Sequence, residues 1–305
     1  MDARHVPVLL RESVEWLAAA RGGLFVDCTL GLGGHAAAIL DASPANRLVG
    51  FDRDPEALEL ARRRLAPYGE RVELVLADFR ELALRLGSGR PVAGLLADLG
   101  VSSLQLDRAE RGFSFQRDGP LDMRMGRDGR TAADLVNRST EAELVDIFRQ
   151  YGEEPQAKRV ARAVIDARAE RPIESTSVLA DVVRRAKRPL RGEERIDPAT
   201  RVFQALRIAI NEELDAVGEL LDQAARLIDR DGRLVVISYH SLEDRIVKNR
   251  FRDLDRGQID PITGRTLSET RVLEVLTRKP VRPSEAEVEA NPRSRSGRLR
   301  AARRL

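Results

Sequence analysis

Four short apolar runs divide the first hundred residues, and helical segments separate the first three of them. The runs lie at 24–30, 47–52, 72–78 and 94–99, and the helical segments at 35–42 and 55–65. Asp54 is a suitable N-cap for the second helix, and Pro55 suits its first position. Strands that alternate with helices predict an α/β fold with a parallel, doubly wound sheet.

Beyond residue 99 this alternation stops, and a loop rich in Gly and Arg runs to about residue 129. Helical patterns follow, then a long predicted helix and two more strands. In chain order these segments are 141–151, 154–169, 175–187, 200–227, 232–239 and 272–277, the last being the final predicted strand. We therefore predict a core in two parts, 1–105 and 199–305, with a helical domain inserted at 106–198.

Composition restricts the cellular setting. Hydrophobic residues make up 42% of the 305 residues, enough for a packed core, and no stretch approaches the ~20 apolar residues of a membrane helix. The N-terminus lacks the pattern of a signal peptide. Cys28 is the only cysteine, which excludes a disulfide framework or a cysteine-rich zinc site. These features predict a cytoplasmic protein with no membrane partner and no metal site.

The basic residues are almost all arginine, since only four of the 52 are lysine. The run 184–191 has five basic residues and no acid, and the tail 291–305 has six arginines and no acid. Arginine pairs with phosphate and stacks on bases, so both segments are typical of nucleic-acid binding. Solvated tails have the same composition, and that alternative stays open.

A glycine-rich turn follows the first predicted strand. Gly31, Gly33 and Ala36 fit the degenerate dinucleotide pattern, and Asp52 lies 21 residues after Gly31, where an acid accepts hydrogen bonds from ribose hydroxyls. Taken alone, this turn is compatible with a nicotinamide-dependent oxidoreductase.

Acids at the ends of the other strands favour a different ligand. Asp27 precedes the glycine turn, Asp78 and Phe79 follow the third run, and Asp98 ends the fourth. Several carboxylates around one pocket suit a cationic sulfonium with an ammonium group and repel a pyrophosphate. The pattern favours a methyltransferase over a dehydrogenase. A non-catalytic RNA-binding assembly factor is a third alternative.

Blocks spread from residue 5 to near the C-terminus resemble the bacterial 16S rRNA cytosine-N4 methyltransferase family, the MraW type. The blocks are 5–10 (HVPVLL), 33–35 (GGH), 52–55 (DRDP), 98–107 (DLGVSSLQLD), 110–115 (ERGFSF), 119–125 (GPLDMRM), 151–154 (YGEE), 200–207 (TRVFQALR), 240–245 (HSLEDR) and 291–296 (NPRSRS). Two departures, Leu104 for a common Pro and Tyr239 for a common Phe, are expected to touch no implied cofactor position.

The resemblance implies a class I S-adenosylmethionine methyltransferase with an inserted helical domain that helps hold RNA. Its implied substrate is the exocyclic N4 of one cytidine in the decoding region of 16S rRNA in the small ribosomal subunit. The implied cofactor contacts are Gly33, Gly34, His35, Asp52, Phe79, Asp98 and Gln105. A homodimer is left open.

Methyl transfer to an amine is an in-line displacement that depends on alignment. Asp98 and the carbonyls of residues 99–103 are candidates to orient the cytosine amine and to take its proton. His240, at the end of the fifth strand, is a second catalytic candidate, although a structural role is an equal alternative. Methylation at cytosine C5 generally needs a thiolate, and Cys28 lies within the first strand, which argues against that chemistry.

The loop 108–130 is long and lacks periodicity, which is typical of a functional loop. Phe113 and Phe115 are candidates to stack on an extruded base, with core packing as the alternative. Four arginines of the loop are candidates to meet phosphates: Arg111, Arg117, Arg124 and Arg127.

Overall fold

A seven-stranded sheet organises the first of two units, formed by Met1–Gly100 and Leu214–Leu305. The computed structural model describes residues 7–87, 89–126, 128–188, 197–260, 263 and 266–305. His5, Arg127 and residues 189–191 of the basic run lie outside the described residues, and so do the predictions made for them. None of the described helices has the length and apolar character needed to cross a membrane.

The strands of the described residues run in chain order as follows: β1 Gly23–Asp27, β2 Asn46–Asp52, β3 Val72–Leu76, β4 Val92–Asp98, β5 Ile228–Ser238, β6 Gln258–Ile259, β7 Thr266–Leu267, β8 Leu273–Val275 and β9 Arg298–Arg304. The sheet order is β3-β2-β1-β4-β5-β9-β8, and β6 and β7 form a separate antiparallel pair. β1 to β5 pair in parallel, whereas β9 is antiparallel to both of its neighbours.

The helices of the first unit are α1 Leu10–Trp16, α2 Gly34–Ala42, α3 Pro55–Leu65, α4 Leu82–Leu86, α11 Glu213–Leu227, α12 Ser241–Arg256 and α13 Glu285–Ala290. Those of the second unit, Val101–Glu213, are α5 Ser103–Asp107, α6 Ala132–Arg138, α7 Glu141–Gln150, α8 Ala157–Glu170, α9 Thr176–Ala186 and α10 Thr200–Asn211. Short 3-10 segments occupy Ala19–Arg21, Ala66–Arg71, Phe79–Glu81, Ala109–Arg111, Ser268–Thr270 and Pro292–Ser296. The segment 106–198 predicted as an insert lies within the second unit.

Both faces of the sheet are covered by helices. Successive residues of β1 point to opposite faces: Phe25 packs in the cluster that includes Ile39 of α2, and Val26 in the cluster that includes Leu220 of α11. Burial of a side chain of this size contributes about 1.5–3 kcal/mol. The doubly wound α/β fold predicted from the sequence is therefore confirmed.

The C-terminal tail is an internal strand of the sheet, and the prediction that 272–277 is the last strand is wrong. β9 lies between β5 and β8, with Leu299 and Ala301 fully buried. Arg300 is only 5% exposed and donates from Nε to Asp244 Oδ1 at 2.6 Å. The arginine content of this segment hid the buried small residues, and these arginines form contacts within the fold.

The long helix predicted at 200–227 is also wrong, because the structure has two helices there. α10 ends at Asn211, and Glu212 adopts a left-handed conformation with φ 49° before α11 begins. A left-handed residue cannot continue a right-handed helix. Since no Gly or Pro marks the break, the periodicity alone did not reveal it.

The second unit has its own apolar core, built mainly from α6 to α10. Phe148, Val160 and Leu206 are fully buried in it. Three of the helices begin with side-chain caps: Thr131 caps α6, Thr140 caps α7 and Ser175 caps α9. The cap residue accepts from a backbone N–H of the first turn, which fixes where each helix starts.

Candidate active site

The glycine turn between β1 and α2 forms one wall of the candidate site. Gly31 and Gly33 have φ values of 52° and 73°, in the left-handed region that glycine adopts without strain. The N–H of Gly31 donates to Oδ2 of Asp52 at 2.8 Å, which joins the turn to the end of β2. Gly33 is the N-cap of α2, so the turn presents the N-terminus of that helix.

Gly34 and His35, predicted cofactor contacts, also hold the N-terminal segment. A Cβ on Gly34 would overlap the ring of Pro7, so a side chain there would displace residues 7 and 8. The buried His35 places Nε2 3.1 Å from the carbonyl oxygen of Val8. Its Nδ1 lies 3.8 Å from Oδ2 of Asp98. His35 therefore lies between the N-terminal segment and the end of β4.

Asp52 ends β2 and organises two backbone segments. Oδ1 accepts from the N–H of Asp54 at 2.8 Å, while Oδ2 accepts from Gly31. Burial raises the pKa of Asp52 to about 6, although both backbone hydrogen bonds oppose the shift. Each carboxylate oxygen has two acceptor sites, so Asp52 retains capacity for ligand hydroxyls.

Asp27 and Asp98 end the two central strands. Asp27 is fully buried and accepts from the N–H of Thr29 at 3.1 Å. The N–H of Asp98 donates to Oγ1 of Thr29 at 2.6 Å, and its Oδ1 accepts from the hydroxyl of Tyr239 at 2.8 Å. Burial is the main cause that raises the pKa of each carboxyl to about 7, and the charge of Asp52 adds to the shift of Asp27.

These three acids form a row at the carboxyl ends of adjacent strands β2, β1 and β4. No lysine or arginine among the described residues forms an ion pair with any of them, whereas nearby Asp78 pairs with Arg53 at 3.2 Å. A buried carboxylate without a cation is costly. The arrangement favours a positively charged ligand, and it fits the sulfonium and ammonium of S-adenosylmethionine.

Asp78 and Phe79 follow β3 at the same edge. Asp78 accepts from the N–H of Arg80 at 2.9 Å and so caps the short helix that Phe79 opens. Phe79 is half-buried against the apolar cluster of the sheet, and its contact with adenine stays a prediction.

His240 is the N-cap of α12. Its Nδ1 accepts from the N–H of Glu243 at 3.4 Å, and its Nε2 lies 3.0 Å from Oε1 of the same residue. Glu243, itself buried, accepts through Oε2 from the N–H of Tyr239 at 2.9 Å. Both imidazole nitrogens thus face Glu243. This geometry is that of a structural cap, and a catalytic role for His240 stays a prediction.

The family described as the MraW methylase family matches residues 2–305. The chain belongs to this family. A "Ribosomal RNA small subunit methyltransferase H" from Geotalea uraniireducens (strain Rf4) is 50% identical over 310 residues, which cover 100% of this chain and 99% of that protein. The protein of the same name from Thermobifida fusca (strain YX) is 51% identical over 308 residues, 98% of this chain and 93% of its own.

Among solved structures, an rRNA methylase from Streptococcus thermophilus covers 98% of both chains with 12% identity and a TM-score of 0.45. A TM-score this low does not support a conclusion about the fold. Membership of the MraW methylase family makes the dehydrogenase alternative wrong, and the doubly wound sheet is that of a class I methyltransferase.

Gln105, the remaining predicted cofactor contact, lies in the second unit of this MraW-family chain. It is buried, its N–H donates to Oγ of Ser102 at 3.2 Å, and its Oε1 accepts from the N–H of Ser102 at 3.1 Å. The two residues thereby form the capping box of α5. Its role toward the cofactor stays a prediction.

The site also contains residues that sequence reasoning missed. Thr29 and Glu243 orient the backbone around Asp98 and His240, and Tyr239 binds Asp98 directly. The expectation that Tyr239 touches no implied cofactor position is therefore wrong, because its hydroxyl donates to Asp98. The sequence offered only that Tyr239 ends the predicted strand 232–239, and not which strand lies beside it.

The two phenylalanines of the loop 108–130 pack inside the second unit. Phe113 is 7% exposed in its core, and the ring of Phe115 meets that of Phe203 edge-on, with centroids 4.8 Å apart. Core packing is therefore confirmed for Phe113, and Phe115 packs against the same core while it stays partly exposed, so base stacking by Phe115 stays a prediction.

Several arginines assigned to phosphate contacts have internal partners instead. Arg111 donates to the carbonyl oxygens of residues 124 and 125, and the guanidinium of Arg124 donates two hydrogen bonds to Asp122, the closer at 2.7 Å. In the basic run, Arg184 pairs with Asp197 at 2.8 Å, and the buried Lys187 pairs with Glu154 at 2.8 Å. Arg117 remains exposed.

Proposed function

We propose that this chain transfers the methyl group of S-adenosylmethionine to the exocyclic N4 of one cytidine in the decoding region of small-subunit 16S rRNA. The observation that carries the proposal is the row of Asp52, Asp27 and Asp98 at three successive strand ends. The names of the relatives in Geotalea uraniireducens and Thermobifida fusca, with about half of all residues identical, support the same type of substrate.

Charge is the basis of the proposed donor specificity. With pKa values of about 7, 6 and 7, Asp27, Asp52 and Asp98 are each costly to ionise in the folded chain without a cation. A sulfonium and an ammonium group offset that cost, since opposite charges favour the ionised form. A pyrophosphate would add negative charge to the same edge.

Each predicted residue has a separate part in holding the donor. The N–H groups at the start of α2, from Gly34 and His35, are suited to the donor's carboxylate because helix N-termini bind anions. Asp52 would accept from the ribose hydroxyls, and Phe79 would cover the adenine face. Bound S-adenosylmethionine supplies an activated methyl carbon, and the protein supplies alignment.

Asp98 is the proposed acceptor for the substrate amine. The lone pair of a cytosine amine is delocalised into the ring, and an acceptor near its N–H groups localises it and takes the departing proton. Asp98 ends β4 with Oδ1 held by Tyr239 and still exposes a fifth of its side chain. A pKa of about 7 lets this carboxyl change charge near neutral pH.

The only cysteine supports the amine over the ring carbon as the methyl acceptor. Cys28 is 2% exposed in the sheet core, and burial together with the charge of Asp27 raises the pKa of its thiol well above the usual range. A thiolate that attacks cytosine C6 must be ionised and accessible. Cys28 meets neither condition.

We further propose that the inserted helical domain holds the RNA. The basic residues of the second unit with exposed side chains include Arg117, Lys158, Arg159, Arg185 and Arg188. Exposed cations of this kind bind phosphates and make affinity depend on salt. A cytoplasmic location accompanies a ribosomal substrate, and a homodimer stays an untested expectation.

The test is methylation in vitro of small ribosomal subunits from a strain that lacks the corresponding gene. We expect one methyl group on one cytidine of 16S rRNA, at N4, located by mass spectrometry of RNA fragments. Calorimetry with S-adenosylhomocysteine and with NAD is the companion measurement. Binding of RNA without either cofactor would instead indicate an assembly factor, and a methyl group on C5 would contradict the proposed acceptor.

A further inference from the structure

Tyr239 is held at the carboxyl edge of the sheet from several sides. β4 and β5 are neighbours, with Asp98 in register with Ile237, so Tyr239 follows β5 at the point where β4 ends. Its N–H donates to Glu243, and its ring lies under Gly100, where an added Cβ would be 3.4 Å from ring Cδ2. These contacts aim the hydroxyl at Oδ1 of Asp98, 2.8 Å away.

Four titratable groups face Asp98 from the elements around it. They are Asp27 at the end of β1, His35 in α2, Tyr239 after β5 and Glu243 in α12. Burial and the two carboxyls raise the pKa of Asp98, while the hydrogen bond from Tyr239 lowers it. Burial and the neighbouring carboxyls also raise the pKa of the Tyr239 hydroxyl, so it keeps its proton at neutral pH and acts as a donor.

We propose that Tyr239 is a positioning residue whose hydroxyl favours the charged form of Asp98 and occupies Oδ1, so that Oδ2, beside His35, is the oxygen that meets the reacting ligand. A donor to a carboxylate stabilises the ion and not the acid. Without the hydroxyl, Asp98 faces burial and two carboxyls with less compensation, and a larger fraction of it is protonated at neutral pH. A protonated Asp98 donates a proton where the amine needs an acceptor. The part played in the reaction rests on the function proposed above, and it is particular to this chain, because Phe is common at this position in the family.

The decisive variant is Tyr239→Phe, which removes the hydroxyl and keeps the ring. Tyr68→Phe is the matched control, because the hydroxyl of Tyr68 donates to Oδ1 of Asp41, also at 2.8 Å, on the exposed surface. The first readout is the titration of the Asp98 carboxyl by carbon-13 NMR, with the resonance assigned from Asp98→Asn. We expect its midpoint to rise by about one pH unit or more in Tyr239→Phe and to stay in place in Tyr68→Phe. An unchanged titration would overturn the proposal whether or not the chain is a methyltransferase.

The second readout is the pH profile of the methylation rate at saturating donor and RNA. We expect the acid limb of Tyr239→Phe to move upward with the carboxyl titration, and the rate below the limb to fall about tenfold for each pH unit that the limb moves. The rate should recover at high pH, whereas a purely structural defect lowers it at every pH. If the carboxyl titration of Asp98 moves while the acid limb of the pH–rate profile stays in place, the proposed role of Tyr239 in the reaction is overturned. If the unmodified chain does not methylate the RNA, the proposed function is refuted. The NMR titration then still tests whether the hydroxyl of Tyr239 affects the charge of Asp98.

Discussion

Two groups of buried charge in the first unit contrast with each other. At the carboxyl edge, Asp27, Asp52 and Asp98 have backbone and hydroxyl donors but no arginine or lysine partner among the described residues. Further along the sheet, Asp244 is clamped by Arg300 at 2.6 Å and lies 3.6 Å from Arg298. The fold itself supplies arginine partners for Asp244, whereas we propose that a cationic ligand offsets the charge of the three acids in the row.

The contrast predicts opposite responses to removal of a charge. Loss of Arg300 leaves the charge of Asp244 with the more distant Arg298 alone, so the fold weakens. Loss of a charge from the row relieves repulsion and desolvation, so the fold strengthens while ligand binding weakens. This trade of stability against function is expected where a site is built for a partner that the free chain lacks.

The largest effect is expected from Arg300→Met. The side chain of Arg300 is 7% exposed, and its substitution leaves Asp244 with Arg298 as its only close cation in the described chain. We expect the free energy of unfolding to fall by about 3 kcal/mol, as for other broken buried pairs. Urea denaturation at pH 7 measures it.

Arg303→Met is the control for that variant. Arg303 belongs to the same strand and pairs with Glu274 at 2.6 Å, but both side chains are more than a third exposed. Exposed pairs contribute roughly 0–1 kcal/mol. Equal losses for the two variants would mean that burial does not distinguish these ion pairs, and the comparison would fail.

Asp27→Asn is expected to act in the opposite direction. The pKa of Asp27 is about 7 in the folded chain, against an ordinary value near 4, so its contribution to stability is present at low pH and is lost as pH rises through about 7. The amide oxygen can still accept from Thr29. At pH 8 we expect the variant to be more stable than the unmodified chain by a few kcal/mol, with weaker binding of S-adenosylmethionine.

Asp78→Asn provides the comparison for that result. Asp78 lies at the same edge but pairs with Arg53 and caps the short helix at Phe79–Glu81. We expect Asp78→Asn to lower the free energy of unfolding slightly, because the substitution weakens the cap of that helix. A gain of stability in Asp78→Asn similar to that of Asp27→Asn would show that the row is not distinct from its neighbours.

The carboxylate row was predictable because the carboxyl ends of parallel strands meet at one edge. Asp27, Asp52 and Asp98 are each recognisable from an apolar run that ends in an acid. Tyr239 was not, since its contact with Asp98 depends on β5 pairing beside β4, and strand order is not encoded in the local pattern.

The ion pairs of Asp244 with Arg298 and Arg300 could not be predicted from the sequence, for a different reason. In β9 the arginines alternate with Leu299 and a pair of alanines, and a high positive charge is typical of a solvated tail. Arg300 is a buried residue and not a surface cation because Asp244, on α12, lies beside it and accepts its hydrogen bonds. A charge whose partner is distant in sequence cannot be assigned to the core from composition.

The smallest effect, and the most direct test of the row, is the coupling of donor binding to protons. Asp27, Asp52 and Asp98 have pKa values of about 7, 6 and 7, so the free chain holds part of their protons near pH 6.5. A cationic donor favours the ionised carboxylates, and its binding should release roughly one proton at that pH. The affinity for S-adenosylmethionine should therefore rise up to tenfold per pH unit between pH 5.5 and 7.5, and then level off as the carboxyls complete their ionisation.

Calorimetry in buffers that differ in ionisation enthalpy counts the released protons. Asp27→Asn is the internal control, because the loss of one titrating carboxyl should reduce the proton count and flatten the dependence on pH. S-adenosylhomocysteine lacks the sulfonium charge, so it should release fewer protons than the methyl donor. Equal proton release for both ligands would mean that the row does not respond to the sulfonium, and the acids would then serve the turn at Gly31 and Gly33 alone.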